Sequence, residues 1–343
     1  MLRRGKGNCG AKTGIMDLRR LWVFVVLLAA TGMLVTACGS AARPPDAASP
    51  PADKTASLPA VPLAAGEKLR VVATTNIVGD VVAKVGGDRI ELTTLVPAGT
   101  DPHTYEPTPQ DLRAVVHAHV IFANGVGLEA FLDKMIANAG SHAPVIPVSQ
   151  GVELLKLDEV GDGESHGEES DPHTWFDPNN VVIWVRNIER TLKALDPANA
   201  DAYAGNARAY VAELEALDQW IREQVARVPA EKRKLVTDHL VLGYFARAYG
   251  FEMTGAVVEA YSAAAEPSAQ ELITLEESIR RLGVPAVFVG RTVNPKLAAR
   301  VAEDTGVRLV PLYTGSLSEA GGEADSYVRF MRYNVTAIVS ALQ

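Results

Sequence analysis

The sequence predicts an α/β protein of two lobes, each a mostly parallel sheet flanked by helices, joined by one long helix. Short apolar runs alternate with helical stretches from residue 69 onward, which is typical of parallel sheets. One stretch, 178–228, contains no predicted strand and separates two such series. The length of 343 residues also fits about two domains.

The first series predicts an N-terminal lobe over residues 67–195. We expect a helix at 77–87 that ends at glycines, and a second helix that begins at Thr108, with Pro109 in its first turn. The strands predicted in this lobe are 69–75, 89–96, 120–124 and 144–149.

A long helix over residues 196–228 is predicted to link the two lobes. It begins at Asp196-Pro197, and at about 30 residues it would be about 45 Å long. The apolar residues that keep helical spacing along it are Leu214, Leu217, Ile221 and Val225.

The second series predicts a C-terminal lobe over residues 229–343. Its helices begin at Ser268, which forms a capping box with Glu271, and at Asn294-Pro295, and a last helix covers about 325–341. The strands predicted in this lobe are 234–238, 252–258, 286–289 and 307–311.

The N-terminus has the pattern of an export signal. An apolar run at 21–37 follows two arginines and ends in small residues before Cys38, as in a bacterial lipoprotein signal whose cleavage leaves a lipid-bearing cysteine. Residues 1–37 are therefore predicted to be a signal peptide. A transmembrane anchor is the alternative, because the run could just span a bilayer. The start codon, Met1 or Met16, stays open.

Composition predicts a tether after the signal peptide and argues against several classes of function and fold. Residues 38–66 are rich in proline and alanine and are predicted to be a disordered tether. A net charge of −8 argues against a nucleic-acid partner. Two cysteines are too few for a cysteine-based zinc finger or a disulfide framework.

Histidines carry the strongest functional signal. His103 and His173 both occur in the motif Asp-Pro-His-Thr, at 101–104 and 171–174, and His239 follows a predicted strand. Ligands of open α/β sheets bind beyond the carboxyl ends of strands. When one ring nitrogen of a histidine binds a metal, a nearby aspartate can accept a hydrogen bond from the other ring nitrogen. One such motif would suit an ordinary loop, but the pair indicates metal binding.

From about residue 69 to the C-terminus, the chain resembles the metal-binding solute receptors of bacterial ABC importers for zinc and manganese. The resemblance rests on DPHTYEPTP (101–109), DPHTWFDPNN (171–180), TDHLVLGYFARAYG (237–250), AEPS (265–268), TVNPKL (292–297) and YTGSL (313–317). It implies a monomeric, extracytoplasmic receptor anchored to the membrane by the lipid on Cys38. Its partners would be an ABC permease and its ATPase.

The resemblance also implies where the metal binds. The ion would lie between the lobes, held by His103, His173 and His239. The chain departs from the family at Gly315, where members usually have an aspartate ligand, and at Gly290-Arg291, where they commonly read Glu-Ser. An arginine near a metal ion needs an acidic counter-charge, for which Glu259 and Glu266 are candidates.

The ligand types predict zinc as the cargo. Imidazole suits zinc, whereas manganese prefers carboxylates and water, and manganese is kept as the alternative. Three imidazoles can hold zinc with water in the fourth position. The acidic segment 158–171, with His166, is either a solvated loop or a weak collector of zinc.

Two other functional classes stay open. Three histidines with an open position also occur in zinc enzymes, but the chain has no motif that supplies a base or an oxyanion donor. A surface adhesin on the same fold is the other alternative.

Overall fold

The computed structural model describes residues 58–156, 170–262 and 267–343. The predicted signal peptide and Cys38 lie outside these residues, as do Glu266 and most of the acidic segment. Within the described residues, no helix combines the length and the apolar character that crossing a membrane requires.

The N-terminal lobe contains a parallel sheet in the order β2-β1-β3-β4. β1 is central and almost wholly buried, which agrees with the apolar residues that make up most of its sequence. The elements of this lobe are β1 Leu69–Thr75, α1 Asn76–Gly86, β2 Ile90–Val96, α2 Pro109–His117, β3 Val120–Ala123, α3 Leu132–Ala139, β4 Val145–Pro147 and α4 Pro178–Leu195.

The C-terminal lobe repeats this architecture with a parallel sheet in the order β6-β5-β7-β8. The two-lobe α/β prediction is therefore confirmed. The elements from the linking helix onward are α5 Ala200–Val225, β5 Lys234–His239, α6 Gly243–Tyr249, β6 Glu252–Val258, α7 Ala269–Leu282, β7 Ala286–Gly290, α8 Lys296–Thr305, β8 Arg308–Leu312 and α9 Tyr327–Leu342.

Side-chain caps fix several helix starts where the sequence predicts them. Thr108 accepts a hydrogen bond from the backbone N–H of Asp111, and the Asp111 carboxylate accepts one from the backbone N–H of Thr108. Ser268 and Glu271 form the same reciprocal pair at the start of α7. Both predicted starts are confirmed.

The long helix α5 is shorter than predicted, with 26 residues rather than about 30, and is about 39 Å long. Asp196 ends α4, and its carboxylate accepts hydrogen bonds from Asn199 and Tyr203. A 3-10 turn over Pro197–Asn199 then leads into α5 at Ala200. The helix packs against α1 and α4 of the first lobe and against α9 of the second. It therefore contacts both lobes.

The end of the predicted tether is also different. Leu58, Val61 and Leu63 pack against the main hydrophobic core, and the backbone N–H of Val61 donates to the carbonyl of Leu195 at 2.8 Å. The tether prediction is therefore wrong for residues 58–66, because three apolar side chains anchor this stretch to the fold.

Direct hydrogen bonds tie the two lobes together. The indole N–H of Trp175 donates to the carbonyl of Thr314, and the hydroxyl of Tyr327 donates to the carbonyl of Trp175. Asn76, at the start of α1, bonds to Ser316 and to the backbone N–H of Leu317. These contacts hold the two sheets with the carboxyl ends of β2 and β5 near the same cleft.

Candidate metal site

Three histidines from separate segments meet between the lobes. His103 lies in the loop after β2, His173 lies just before α4, and His239 is the last residue of β5. The nitrogens that they offer lie within 4.8 Å of one another. Nε2 of His103 and Nε2 of His173 are 3.2 Å apart, close to the roughly 3.3 Å between two nitrogens on a tetrahedral zinc ion.

Aspartates orient two of the rings. Nδ1 of His173 lies 2.7 Å from Oδ1 of Asp171, and Nδ1 of His239 lies 2.9 Å from Oδ1 of Asp238. Each aspartate also accepts the backbone N–H of its histidine. Because Nδ1 is engaged in both rings, Nε2 is left to face the centre of the cluster, as in metal sites where a carboxylate orients the ligand.

His239 has the clearest unmet need for a partner. It is 2% exposed, and its Nε2 is buried without a hydrogen-bond partner within the described structure. Buried polar atoms without a partner are rare and call for an explanation such as an ion. A metal bound by the three rings would supply the missing interaction.

Burial favours the neutral imidazole in two of the three histidines, His103 and His173. Burial, together with the nearby His239, lowers the pKa of His103 to about 4. Burial also lowers the pKa of His173 well below its ordinary value and raises the pKa of Asp171 well above its own. A neutral imidazole is the form that binds metal, so the site is ready to bind a cation at neutral pH.

These pKa values predict an acid-sensitive fold in the metal-free protein. Below about pH 6.5 the unfolded chain binds protons at its histidines, while the folded site does not until the pH approaches the lowered values. The two histidines should therefore lower the free energy of unfolding as the pH falls from 7.5 to 5.5, whereas the raised pKa of Asp171 acts in the opposite direction. Urea unfolding of the metal-free protein and of His103→Gln measures the effect, and the variant should lose less stability. Equal losses would contradict the prediction.

Gly290 supports the His239 pair. Its backbone N–H donates to Oδ2 of Asp238 at 2.7 Å. A methyl group added at Gly290 would lie 2.3 Å from the hydroxyl of Thr314, so a larger residue does not fit without movement. Glycine at this departure from the family therefore allows the backbone contact that fixes Asp238.

Gly315 lies against the loop that carries His103. A methyl group added there would be 2.8 Å from Cδ of Pro102, closer than ordinary carbon contacts. The position usually held by an aspartate is thus packed against the proline ring. Within the described residues, the metal-ligand cluster contains three histidines and no carboxylate.

Replacing Gly315 with alanine should lower metal affinity by about tenfold, because the added methyl group displaces Pro102 and with it His103. The effect can be measured by zinc titration against a chromophoric chelator. Gly205→Ala is the matched control, since no atom lies within 4 Å of a methyl group added there. Unchanged affinity in Gly315→Ala would show that the proline loop yields freely.

Arg291 is engaged elsewhere. Its guanidinium lies 4.8 Å from the ring centre of Tyr313 and 5.5 Å from that of Tyr333, and it donates to the Tyr333 hydroxyl. The acidic residue next to the Arg291 guanidinium is Glu323. Glu259 is exposed, and its proposed role as the counter-charge to Arg291 is therefore wrong. The acidic groups next to the histidines are Asp101, which accepts the backbone N–H of His103, together with Asp171 and Asp238. Of these, Asp238 was not predicted from the sequence.

Comparison with known proteins identifies the family. Residues 71–341 match the family model of ZnuA, described as "Zinc-uptake complex component A periplasmic". The chain is 36% identical over 278 residues to the manganese-binding lipoprotein MntA of Halalkalibacterium halodurans, covering 81% of this chain and 89% of that one.

Solved structures agree with this match. The periplasmic zinc-binding protein TroA of Treponema pallidum is similar with a TM-score of 0.73 at 29% identity, over 80% of this chain and 99% of that one. A manganese-bound periplasmic metal-binding protein of Candidatus Liberibacter asiaticus is similar with a TM-score of 0.72 at 29% identity, over 81% and 100% of the two chains.

The fold is that of a two-lobed solute receptor. The chain belongs to the ZnuA family of metal-binding components of ABC importers. It is therefore an extracytoplasmic metal-binding receptor whose partners are a permease and an ATPase. The zinc-enzyme alternative is not supported, because the relatives are solute-binding receptors.

Proposed function

We propose that this receptor binds zinc with His103, His173 and His239 and delivers it to its permease. The observation that carries the proposal is the meeting of three imidazoles without a carboxylate ligand among the described residues. In this proposal Asp171 and Asp238 stay behind the imidazoles, where they balance the charge of the ion.

The donor set supports zinc over manganese. Three nitrogen donors suit the tetrahedral coordination of zinc, with the fourth position left for a small ligand such as water. Manganese prefers oxygen donors and higher coordination numbers. Glycine at position 315 and histidine at 239 both replace positions that a manganese site would fill with carboxylates.

Manganese is the second candidate because MntA is named for manganese, as is the manganese-bound solved structure. A competition titration separates the two ions. Metal-free protein is titrated with each ion against a chromophoric chelator, and then with both together. We expect one equivalent of zinc to displace manganese completely at equal concentrations. Tighter binding of manganese would overturn the zinc proposal.

We further propose that the mature receptor is a monomer held at the membrane by a lipid on Cys38. The lipoprotein names of relatives such as MntA support this reading of the N-terminal signal. Fractionation of cells and mass spectrometry test the lipid anchor. The native chain should sediment with membranes, and a Cys38→Ala chain should lack the added mass of the lipid. An unmodified Cys38 in the native chain would contradict the proposal.

A further inference from the structure

A cavity of about 490 Å³ opens beside the three histidines. We call it the His103 cavity, and its walls include His103, Val126, Ala130, Leu154, Pro172 and Tyr261. Its volume is in the range of sites for small organic molecules, about 300–1,000 Å³, and is far larger than a single ion and one water require. His103 belongs to both the cavity wall and the histidine cluster. A molecule in this cavity would therefore lie against one of the three residues proposed to hold the metal.

One wall of the cavity has a strained backbone. Val126 has φ 57° and lies between Gly125 at 81° and Gly127 at 78°, so three consecutive residues are in the left-handed region. A β-branched residue rarely adopts this conformation. Strain of this kind persists where the surroundings hold it, and it clusters at binding sites.

Buried hydrogen bonds hold this wall and connect it to the metal site. The carboxylate of Glu129 accepts the backbone N–H groups of Asn124 and Gly125. The side-chain amide of Asn124 donates to the carbonyl of Pro172, the residue before His173. The wall and a ligand histidine are thus parts of one hydrogen-bonded unit, which makes the cavity preformed.

The metal site lacks a donor that this cavity could supply. Gly315 contributes no side chain, and the oxygens Oδ1 of Asp171 and Asp238 are already bonded to imidazoles. The cavity lining includes apolar side chains and hydroxyl-bearing residues, and no lysine or arginine is among the described residues that form it. A carboxylate that entered would therefore find its counter-charge in the metal itself.

We propose that the receptor carries its metal as a ternary complex, in which a small amino-acid-like carboxylate occupies the His103 cavity and completes the coordination that the three imidazoles leave open. The carboxylate and amino groups would bind the ion, and an apolar side chain would lie against Val126 and Leu154. Zinc held by three imidazoles can accept such a ligand and expand to five-coordinate geometry. The inference rests on the proposed function.

Leucine is the probe for the test, because it combines a weakly chelating head with an apolar side chain. Calorimetry compares leucine binding to metal-free and zinc-loaded receptor. We expect affinity at least about tenfold higher for the loaded form. In cobalt-substituted receptor, leucine should change the visible absorption bands, which report the ligand set.

Two variants test whether leucine binds in the His103 cavity. Ala130→Trp fills the space and should abolish leucine binding while zinc affinity stays within about threefold of the parent. Ile273→Trp is the control, since Ile273 is a 50% exposed residue of α7 that does not line the cavity.

The outcomes separate the two claims. Tight zinc binding with no leucine heat and an unchanged cobalt spectrum would overturn the ternary complex and leave the proposed function standing; a carboxylate of the 158–169 segment in the fourth position would give this result. Zinc binding only in the presence of leucine would strongly support the ternary complex. Absence of zinc binding with and without leucine would overturn both.

Discussion

Replacing His239 with alanine is expected to lower zinc affinity on the order of 1,000-fold. A zinc site of this kind contributes about 10–16 kcal/mol of binding free energy, so loss of one of three protein ligands removes several kcal/mol. His239 is the donor proposed from the C-terminal lobe, and its Nε2 is buried with no hydrogen-bond partner among the residues that the structure describes. Its loss also removes the metal's link between the two lobes. Chelator competition measures the affinity.

His142→Ala is the matched control for this variant. His142 is exposed and lies outside the three-histidine cluster, so its removal should leave zinc affinity unchanged. Circular dichroism of the metal-free proteins separates a lost ligand from a lost fold. Parental zinc affinity in His239→Ala would exclude this residue as a ligand.

Replacing Asp171 with asparagine should lower zinc affinity by 10- to 100-fold, roughly the effect of losing the partner of a ligating histidine. The amide can still accept the Nδ1–H of His173 but lacks the negative charge that strengthens the imidazole as a donor. The substitution also removes a buried carboxyl group. Burial raises the pKa of this group, so its uncharged form is favoured until a metal binds.

Metal binding should therefore release protons from the native site, and fewer from Asp171→Asn. Calorimetry in buffers of different ionisation enthalpy measures the number released. Asp201→Asn, an exposed change on α5, is the control and should match the parent protein. Equal proton release and equal affinity in Asp171→Asn would show that Asp171 has only a structural role.

The sequence predicted several strands well because short, apolar-rich segments bounded by turn residues are typical of strands. The segment 69–75 is the central strand β1 with the predicted bounds, and 252–258 is the edge strand β6. Helix starts were predicted where a side chain makes the cap, as at Thr108 and Ser268. These signals are local, so a single sequence contains them.

The predicted start at Asp196-Pro197 is where a helical turn begins, but Pro197–Asn199 form a 3-10 turn and the α-helix itself begins at Ala200. An error arose where a tertiary contact decides the structure. Residues 58–66 have a tether-like composition, but Leu58 and Val61 find a hydrophobic surface to cover. The contact of this stretch with the core cannot be read from the local sequence.

The candidate site was partly visible in the sequence. The repeated Asp-Pro-His-Thr motif identified His103 and His173, together with Asp171 as a ring partner. His239 needed the family resemblance, since one histidine after a strand is a weak signal. Asp238 could have been found from its place directly before His239. The hydrogen bond that Gly290 donates to Asp238 could not, because the two residues are 52 positions apart in the chain.

X-ray absorption at the zinc edge of the loaded receptor tests the central claim most directly. Multiple scattering from imidazole rings counts the histidine ligands, and the first-shell distance reports the donor atoms. We expect three imidazoles at about 2.0–2.1 Å and one further light-atom ligand. Two or fewer imidazoles, with carboxylates from the protein completing the shell, would contradict it.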